Sequence, residues 1–439
     1  MAPIVTSFTR LIEKREEKQY LRVPIKVGDN VETLAIAYGY IRHRVSPGDG
    51  GKTLRREVNI IDLALEDPEH TLVGASGSER REIVIHENYA TPGYRGVPVV
   101  PGTWYLVLGA YAVEEDGCEV AITVTQTPRE TVLLRGETHC HTVHSDGWYT
   151  VEELMDRARQ DRLDYLFVTD HNSMTSNAFL RSVPGLTVLP GVEATYYDGH
   201  YNLYGVARPI NTYVANGREE VLAIMREGRA NGAIASINHP VDASCGWKLG
   251  VSKDVPADLI EIWNGPFTTW NKGCIDLWQT ELAKGRVWPA IGGSDCHHSE
   301  LFRTLATPCT FLYSRGRSGS AILEAMKAGH AFIGMDMNAP ALYMELGEAR
   351  MGDVYTGEDR SLQIRIDRLS DMDELRLIDE TGVIQLLTPG ACHRYETQVQ
   401  LKESLFVRLE VWRSLPSLGQ TLASIGNPIY IRKKTGGLP

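Results

Sequence analysis

The sequence has no long hydrophobic run, no excess of positive charge and few cysteines. No apolar stretch approaches the roughly 18–20 residues that a membrane-spanning helix needs, so no membrane insertion is predicted. The net charge of −11 argues against a broad surface for long nucleic acid or for anionic lipid. The seven cysteines lack paired spacing, which is typical of reduced thiols, and the first 20 residues do not resemble a secretory signal. We therefore expect a cytoplasmic protein.

The length and composition predict a globular chain with more than one domain. It has 439 residues, of which 43% are hydrophobic and 23% are charged. Two to four domains are the expectation for this length. We divide the chain at two changes of sequence pattern, into residues 1–130, 131–336 and 337–439.

The first segment has the pattern of an all-β domain. Between about residues 19 and 126, short runs alternate apolar and polar side chains, as in Tyr20–Val27. Turn residues separate these runs, for example at 47–51 and 91–94. The pattern predicts a β-sandwich or jelly roll over residues 1–130.

The middle segment has the pattern of an α/β domain. Between 131 and 336, short apolar strands such as Tyr165–Val168 alternate with helical segments. A capping box at Thr150 and Glu153 predicts the start of one helix, a second helix is predicted over 219–231, and Ser318 can cap a last helix that ends at Gly329. This alternation predicts a βα barrel. Residues 337–439 return to strand alternation, which indicates a small C-terminal β-domain or strands that pack on the first domain.

Imidazoles and carboxylates follow the predicted strands of the middle segment one after another. These side chains are His139, His141, Asp146, His171, Glu193, His200, His239, Asp295 and His297. The carboxyl ends of barrel strands meet at the mouth of the barrel, where catalytic groups collect. Divalent cations such as Zn, Mn and Fe are bound by nitrogen and oxygen ligands. The sequence therefore predicts a multinuclear metal site.

His139 and His141 are two residues apart, so on a strand both would point to the same face. Cys140 would then point to the opposite face, as a core residue. Asp170 is interpreted as a carboxylate that orients a ligand imidazole rather than as a ligand itself.

Three further polar residues could contact a substrate. Arg303 follows the loop of Asp295 and could bind a phosphate, although a loop arginine often makes a surface ion pair. Glu261 and Asn264 end a predicted strand and could bind substrate, or they could close a hydrogen-bonded turn.

The motifs of the middle segment resemble those of the PHP (polymerase and histidinol phosphatase) superfamily. They are His-x-His-Thr-x-x-Ser-Asp-Gly from His139, Thr-Asp-His-Asn from Thr169, Asn-His-Pro from Asn238 and Gly-Ser-Asp-x-His from Gly293, with a glutamate between them. The resemblance covers about residues 135–334. Segments 74–81, 90–94 and 101–104 are similar to the β-domain that precedes the PHP domain in carbaryl-hydrolase-like (CehA/McbA) metallohydrolases.

The resemblance implies a distorted seven-stranded (βα) barrel with two or three divalent metal ions. It implies one ion bound by His139, His141, Glu193 and Asp295, and a second bound by Glu193, His200 and His239. Asp146, His171 and His297 would form a third site, or act on the substrate if that site is empty. A hydroxide bridging two ions would attack phosphorus or a carbonyl carbon, and Asp295 or His297 could move the proton.

Three functions remain open from the sequence. Hydrolysis of a small phosphoester is the leading hypothesis, with Arg303 as the cation for phosphate. Hydrolysis of a carboxylic or carbamate (aryl) ester is the second, because the first segment is similar to the β-domain of carbaryl-hydrolase-like proteins and because aromatic residues lie near the expected mouth; they are Tyr196, Tyr197, Tyr201, Trp247, Trp263, Phe267 and Trp270. The third is a metal-binding scaffold without catalysis. The expected partner is a small-molecule substrate, and a homo-oligomer is compatible with the terminal β segments.

Overall fold

The computed structural model describes residues 2–47, 53–206, 208–301, 303–390, 392–416 and 419–432. The turn predicted at 48–51 and the end of the predicted C-terminal segment, 433–439, lie outside the described residues. The chain forms two compact units, Met1–Glu130 and Thr131–Pro439. Both units are rich in strands, and the α-helices among the described residues all belong to the second unit.

The first unit consists of antiparallel strands. In the described part of the chain these are β1 (Ile4–Ile12), β2 (Tyr20–Val27), β3 (Val31–Gly39), β4 (His43–Pro47), β5 (Thr53–Glu57), β6 (Ile60–Glu66), β7 (Leu72–Ser76), β8 (Glu82–His86), β9 (Gly102–Ala112) and β10 (Cys118–Pro128). One sheet has the order β1-β10-β3-β8 and the other has the order β2-β9-β6-β7. Strands β4 and β5 form a separate hairpin.

The two four-stranded sheets share one hydrophobic core. Alternate residues of β3, such as Leu34 and Ile36, are fully buried, and so are Leu106 and Leu108 of β9 in the other sheet. A period of two places every second side chain on the inner face of a strand. The first unit is therefore an antiparallel β-sandwich.

The second unit begins with strands and helices in alternation. In chain order these are β11 (Thr131–Glu137), α1 (Val151–Gln160), β12 (Tyr165–Val168), β13 (Thr187–Tyr196), β14 (Gly199–Tyr204), α2 (Arg218–Ala230), β15 (Ile234–Ile237), β16 (Leu259–Asn264), α3 (Thr269–Ala283), β17 (Ala290–Gly293), β18 (Cys309–Arg315), α4 (Gly319–Ala328) and β19 (Ala331–Gly334). The strands that follow are β20 (Ala341–Leu346), β21 (Ala349–Arg350), β22 (Val354–Tyr355), β23 (Ser361–Asp367), β24 (Asp373–Asp379), β25 (Gly382–Leu387), β26 (Arg394–Gln400), β27 (Phe406–Leu415), β28 (Gly419–Gly426) and β29 (Ile429–Ile431).

The strands of the middle segment form a continuous path with the order β17-β16-β15-β14-β13-β12-β11-β18-β19. The Thr310 hydroxyl at the start of β18 both donates to the carbonyl of Gly292 and accepts from its N–H, so β17 lies beside β18. The path therefore curls back on itself. Its closure as a seven-stranded barrel stays a prediction.

The path departs from plain βα alternation at two places. Strand β14 is antiparallel to both β13 and β15, and β18 is antiparallel to β11. The turn between β13 and β14 is short, and two strands joined by so short a turn can pair only in the antiparallel sense. This hairpin keeps Glu193 and His200 on neighbouring strands.

The C-terminal strands continue the same sheet. Strand β28 pairs with β19, and β27, β24 and β25 extend the sheet from β28. A second sheet has the order β21-β20-β23-β26. One core cluster contains Leu166 of β12 together with Leu342 of β20 and Val411 of β27. One core thus joins residues on both sides of residue 336. The domain boundary at that residue stays a prediction, which truncation can test.

The predicted helices agree with the structure, but one helix was missed. Thr150 and Glu153 make both hydrogen bonds of the predicted capping box at α1. Helix α2 lies within one residue of the prediction at each end. Helix α3 was not predicted, although Cys274, Trp278 and Leu282 recur on one buried face at helical spacing.

Within the described ranges, every helix is too short or too polar to cross a membrane.

Candidate metal centre

The predicted ligands gather at the carboxyl ends of neighbouring strands. His139 and His141 follow β11, His171 follows β12, and His239 follows β15. The structure ends β11 at Glu137, so His139 and His141 lie beyond the strand rather than on it as predicted. Cys140 between them lies in the hydrophobic core, as predicted, and its Sγ contacts the carbonyl of Phe167.

One group consists of His139, His141, Glu193 and Asp295, whose candidate ligand atoms all lie within 4.8 Å of one another. His139 Nε2 is 3.3 Å from Glu193 Oε2 and 3.4 Å from Asp295 Oδ1. His141 Nε2 is 3.0 Å from Asp295 Oδ1. These are the four residues that the family resemblance implies for one metal ion.

A second group surrounds the other oxygen of Glu193. His200 Nδ1 is 3.2 Å and His239 Nε2 is 3.3 Å from Glu193 Oε1. Asn238 Nδ2 donates to the same oxygen at 2.8 Å. The Glu193 carboxylate therefore has one oxygen facing each group, which is the arrangement that a bridging carboxylate requires.

A third group lies on the more open side, where Asp146 approaches two imidazoles. Asp146 Oδ1 is 3.2 Å from His297 Nε2 and 3.6 Å from His171 Nε2. The rings of His297 and His171 lie within 4.3 Å of the His141 ring, centroid to centroid. All nine predicted ligands thus lie in three adjoining groups, and which of them bind ions stays a prediction.

Two buried polar atoms of the first group fit metal binding. His139 Nε2 and Glu193 Oε2 are buried, lie 3.3 Å apart and make no hydrogen bond of acceptable geometry within the described part of the chain. Buried polar atoms of this kind are normally paired, because burial without a partner costs free energy. Imidazole nitrogens and carboxylate oxygens are ligands of divalent cations. The donor set therefore suits a divalent metal ion.

The electrostatics of the centre favour positive charge. Burial opposes a charged imidazole, but nearby carboxylates, led by Glu261, hold the pKa of His139 well above its usual value. Burial would raise the pKa of Glu193, yet His139 and the other imidazoles hold it well below the usual range. The pKa of Asp295 is likewise held low against burial by His139 and His141. The negative charge of these buried carboxylates can be compensated either by protons on the imidazoles or by metal cations.

Glu261 orients two of the candidate ligands. Its side chain is fully buried. Its Oε1 is 2.9 Å from His139 Nδ1, and its Oε2 accepts from the backbone N–H of His239 at 3.1 Å. A partner on Nδ1 leaves Nε2 of His139 free for a metal ion. The sequence left Glu261 as a substrate contact or a turn residue, and the burial favours the orienting role.

Two further buried carboxylates hold the loops of the centre. Glu137, not considered from the sequence, accepts from the backbone N–H groups of His139, Ser294 and Ala306. Asp170 accepts from the N–H of Thr142 and holds the loop that leads to Asp146. The prediction that Asp170 orients an imidazole is wrong, because its oxygens are taken up by this loop.

Cys245 is a site residue that the sequence analysis missed. Its Sγ lies 3.5 Å from His239 Nδ1 and 3.5 Å from Asp242 Oδ1. The Asp242 carboxylate also accepts from the N–H of Cys245. The sequence signal is a cysteine six residues after His239, and its contact with that histidine depends on the loop folding back.

Arg303 lies beside Asp295, at the edge of the first group. Its Nη1 donates to the Asp295 carbonyl at 3.3 Å and is 3.7 Å from Asp295 Oδ2. The side chain is 32% exposed. Gly265, which has a positive φ, leaves room for the guanidinium, because a Cβ there would lie 2.9 Å from Arg303 Nη2. Arg303 therefore places a partly exposed positive charge next to the candidate metal ligands.

Most of the aromatic residues predicted near the mouth pack in the core. Tyr201, Trp247 and Trp263 are buried. Tyr196 and Tyr197 line a cavity next to His200. Phe267 packs against the core, and Trp270 is about half exposed on α3. This distribution weakens the argument for an aryl ester.

The comparisons with known proteins find distant structural likeness only. No protein-family model matches the chain, and no curated protein sequence matches it. A two-domain protein from Bacteroides vulgatus, containing a predicted PHP-like metal-dependent phosphoesterase, is 18% identical over 67% of this chain and 95% of its own, with a TM-score of 0.43. An amidohydrolase from Chromobacterium violaceum with bound sulfate is 15% identical over 36% of this chain and 86% of its own, with a TM-score of 0.26. The PHP resemblance and its CehA/McbA branch stay predictions.

Proposed function

We propose that this protein is a metal-dependent hydrolase of small phosphoesters. The observation that carries the proposal is the Glu193 carboxylate. Its Oε2 faces His139, whose buried Nε2 makes no hydrogen bond to a described residue, and its Oε1 faces His200 and His239. In the proposal, His139, His141, Glu193 and Asp295 hold one ion. Glu193, His200 and His239 hold a second. Such ions lower the pKa of water and stabilise negative charge on the reacting group.

The side chains on the open side have distinct proposed roles. Arg303 binds a phosphoryl oxygen, because a guanidinium offers paired N–H donors and a fixed positive charge. His297 donates a proton to the leaving oxygen when two ions are bound. If a third ion were bound, His297, Asp146 and His171 would hold it. Metal stoichiometry therefore distinguishes the two roles of His297.

Carboxylic or carbamate ester hydrolysis is the second candidate. It is favoured by Tyr196 and Tyr197, which lie beside the candidate centre and could pack against an aryl group. An uncharged ester, however, would give Arg303 no anionic group to bind. A non-catalytic metal-binding scaffold has less support, because the nine predicted donors lie close together and the partly exposed guanidinium of Arg303 lies beside them.

The test is a parallel assay of the metal-loaded protein. The substrates are p-nitrophenyl phosphate, bis-p-nitrophenyl phosphate and 1-naphthyl methylcarbamate. We expect phosphoester turnover that a chelator abolishes and that added Zn, Mn or Fe restores. Cleavage of the carbamate with no phosphoester turnover would establish the second candidate instead.

The Arg303→Ala variant sharpens this test. Loss of a charge-assisted contact to phosphate should lower kcat/KM for p-nitrophenyl phosphate by about 10- to 100-fold. The metal content should not change. The matched control is Arg159→Ala, because Arg159 is an exposed arginine near the C-terminal end of α1. Equal effects of the two substitutions would remove Arg303 from the proposed site.

A further inference from the structure

Asn238, the first residue of the Asn-His-Pro motif, is fully buried beside Glu193. Its Nδ2 donates to Glu193 Oε1 at 2.8 Å. Within the described residues, the other hydrogen bonds and ion pairs of this carboxylate are to imidazoles; they belong to His139, His141, His171, His200 and His239. An imidazole nitrogen that binds a metal ion has no proton to donate. The amide of Asn238 is therefore the donor that Glu193 can keep when the imidazoles act as ligands.

The orientation of the Asn238 amide is fixed by strand β14. Its Oδ1 accepts from the backbone N–H of Asn202 at 3.2 Å, so the Nδ2 end of the amide faces Glu193. The backbone N–H of Asn238 donates to the carbonyl of His200 at 3.1 Å. His239 follows Asn238 directly in the chain. Asn238 is thus tied to each of the three residues that are proposed to hold the second ion.

The Glu193 carboxylate needs an outside contact to fix its rotation. The last torsion of a glutamate side chain has broad energy wells, so the two oxygens can turn easily about it. The hydrogen bond from Asn238 holds Oε1 on the side of His200 and His239, which leaves Oε2 on the side of His139. A carboxylate oxygen can accept two contacts, so Oε1 can bind an ion as well as the amide.

The two groups of ligands differ in negative charge. The first group contains two carboxylates, Glu193 and Asp295, whereas the second has Oε1 of Glu193 beside His200 and His239. A cation in the second group therefore depends on the position of Oε1 more than a cation in the first group does.

We propose that Asn238 is a positioning residue that keeps the Glu193 carboxylate as a bridge, with one oxygen for each of two ions. The inference rests on the proposed function and adds the residue that holds its central ligand in place. Without the amide donor, the carboxylate can turn both oxygens towards the first group. The second ion would then bind weakly, and the first would bind as before.

The first test is Mn²⁺ binding by the Asn238→Ala variant. We expect the Kd of the second ion to rise by about 10- to 100-fold, as is typical when an orienting partner is lost, with no change in the Kd of the first. Equilibrium dialysis measures both values. At a Mn²⁺ concentration that fills both sites of the unsubstituted protein, electron paramagnetic resonance should show a coupled pair of ions there and isolated Mn²⁺ in the variant.

The matched control is Asn202→Ala on β14. Asn202 is also a fully buried asparagine, but its side-chain amide donates to the hydroxyl of Tyr204. The substitution keeps the backbone N–H that Asn238 accepts. We therefore expect a coupled pair of Mn²⁺ ions in Asn202→Ala. Equal losses of the second ion in the two variants would overturn the inference, because burial of an amide would then explain both.

A measurement on the unsubstituted protein covers the case in which Asn238→Ala does not fold. The side-chain amide of Asn238 is followed by NMR in protein labelled with ¹⁵N-asparagine, without metal and with Zn²⁺. We expect one amide proton to be shifted downfield and to exchange slowly in both states, because it remains bonded to a carboxylate. A return to the chemical shift of an unbonded amide on Zn²⁺ loading would reject the positioning role.

Kinetics then separate failure of the inference from failure of the proposed function. The Mn²⁺ concentration that half-activates p-nitrophenyl phosphate hydrolysis should rise by about 10- to 100-fold in Asn238→Ala, and excess Mn²⁺ should restore kcat. Loss of the second ion in this variant, in a protein that cleaves no phosphoester, would reject the proposed reaction and keep the positioning role. Phosphoester turnover with both ions bound as tightly in Asn238→Ala would keep the reaction and reject the role.

Discussion

Glu193 shows how a single side chain can join two groups of ligands. It is almost completely buried on β13, and each of its oxygens faces different imidazoles. A buried carboxylate would be costly without compensating positive charge. The residues that hold Glu193 and its imidazoles in place therefore decide how well the centre can bind metal.

Glu261→Gln should weaken metal binding without unfolding the protein. The amide retains the size of the side chain but loses the negative charge that supports the Nδ1 proton of His139. Loss of such an orienting partner typically lowers metal affinity by about 10- to 100-fold. Competition with a chromogenic chelator measures the change in Kd. Glu219→Gln on the exposed face of α2 is the control, and equal Kd values for both variants would reject the orienting role.

Cys245 should position His239 rather than bind the ion shared with Glu193. The Sγ lies on the Nδ1 edge of the His239 ring, whereas Nε2 faces Glu193. We therefore expect the Co²⁺-loaded protein to lack a sulfur-to-cobalt charge-transfer band in the near ultraviolet. Cys245→Ser should keep the metal stoichiometry, because a hydroxyl can take over the hydrogen bond. A charge-transfer band that disappears in Cys245→Ser would instead make the thiolate a ligand.

At the scale of elements, the centre depends on close approach between backbone segments. A Cβ on Gly293 would lie 2.4 Å from the Cβ of His139, so only glycine allows the end of β17 to pack against the His139 segment. His239, beyond the end of β15, and Asp295, beyond the end of β17, have positive φ values of 28° and 52°. Such conformations cost about 1–3 kcal/mol each outside glycine and persist where the surrounding structure holds them.

Gly293→Ala should therefore destabilise the second unit and reduce its metal content. The added methyl group must push the His139 segment away from β17, and overpacking of this kind costs about 1–3 kcal/mol. Urea denaturation and elemental analysis measure the two effects. Gly39→Ala, at a position with open space around the new methyl group, is the control. Full metal content with unchanged stability in Gly293→Ala would contradict the packing argument.

The sequence could predict those elements whose signals are local. The capping box of α1 and the strand of Tyr165–Val168 follow from propensity and periodicity, and the structure contains both. The antiparallel orientation of β14 could not be predicted from the sequence, because the pairing of one strand depends on the whole sheet. The roles of Glu137 and Glu261 could not be predicted either. The backbone groups that a glutamate in a strand will bind depend on the tertiary structure and not on the local sequence. The gathering of donors such as His171, His239 and Asp295 was predictable because each follows the end of a strand, whereas His200 lies at the start of β14.

At the scale of the whole molecule, the second unit contains all the candidate ligands and a core of its own. That core combines residues of the middle segment with residues after 337, for example Phe311 with Leu409 and Ile333 with Ile425. A cut between them would expose both sets of apolar side chains to water. The unit is therefore expected to fold as one body.

Truncation tests this expectation. Residues 131–439 expressed alone should fold and bind metal with the stoichiometry of the full chain. Residues 131–336 alone should lack a cooperative thermal transition, because they lose the strands that cover β19 and its neighbours. Circular dichroism and metal analysis provide the measurements. A stably folded 131–336 fragment would support the boundary that the sequence pattern indicated.

The pairing of β19 with β28 has a consequence for how the far end of the chain behaves. Ile333 connects the strand that leads to Asp295 with the C-terminal strands. It pairs with Ile425, and its side chain packs against Gly292, where a Cβ would lie 2.7 Å from it. An ion held by Asp295 and His139 would also resist the opening of this junction, since a ligand that binds only the folded state stabilises it. Deuterium uptake at the amides of β28 should thus slow when the distant centre is loaded, so protection at the C-terminus reports on its occupancy.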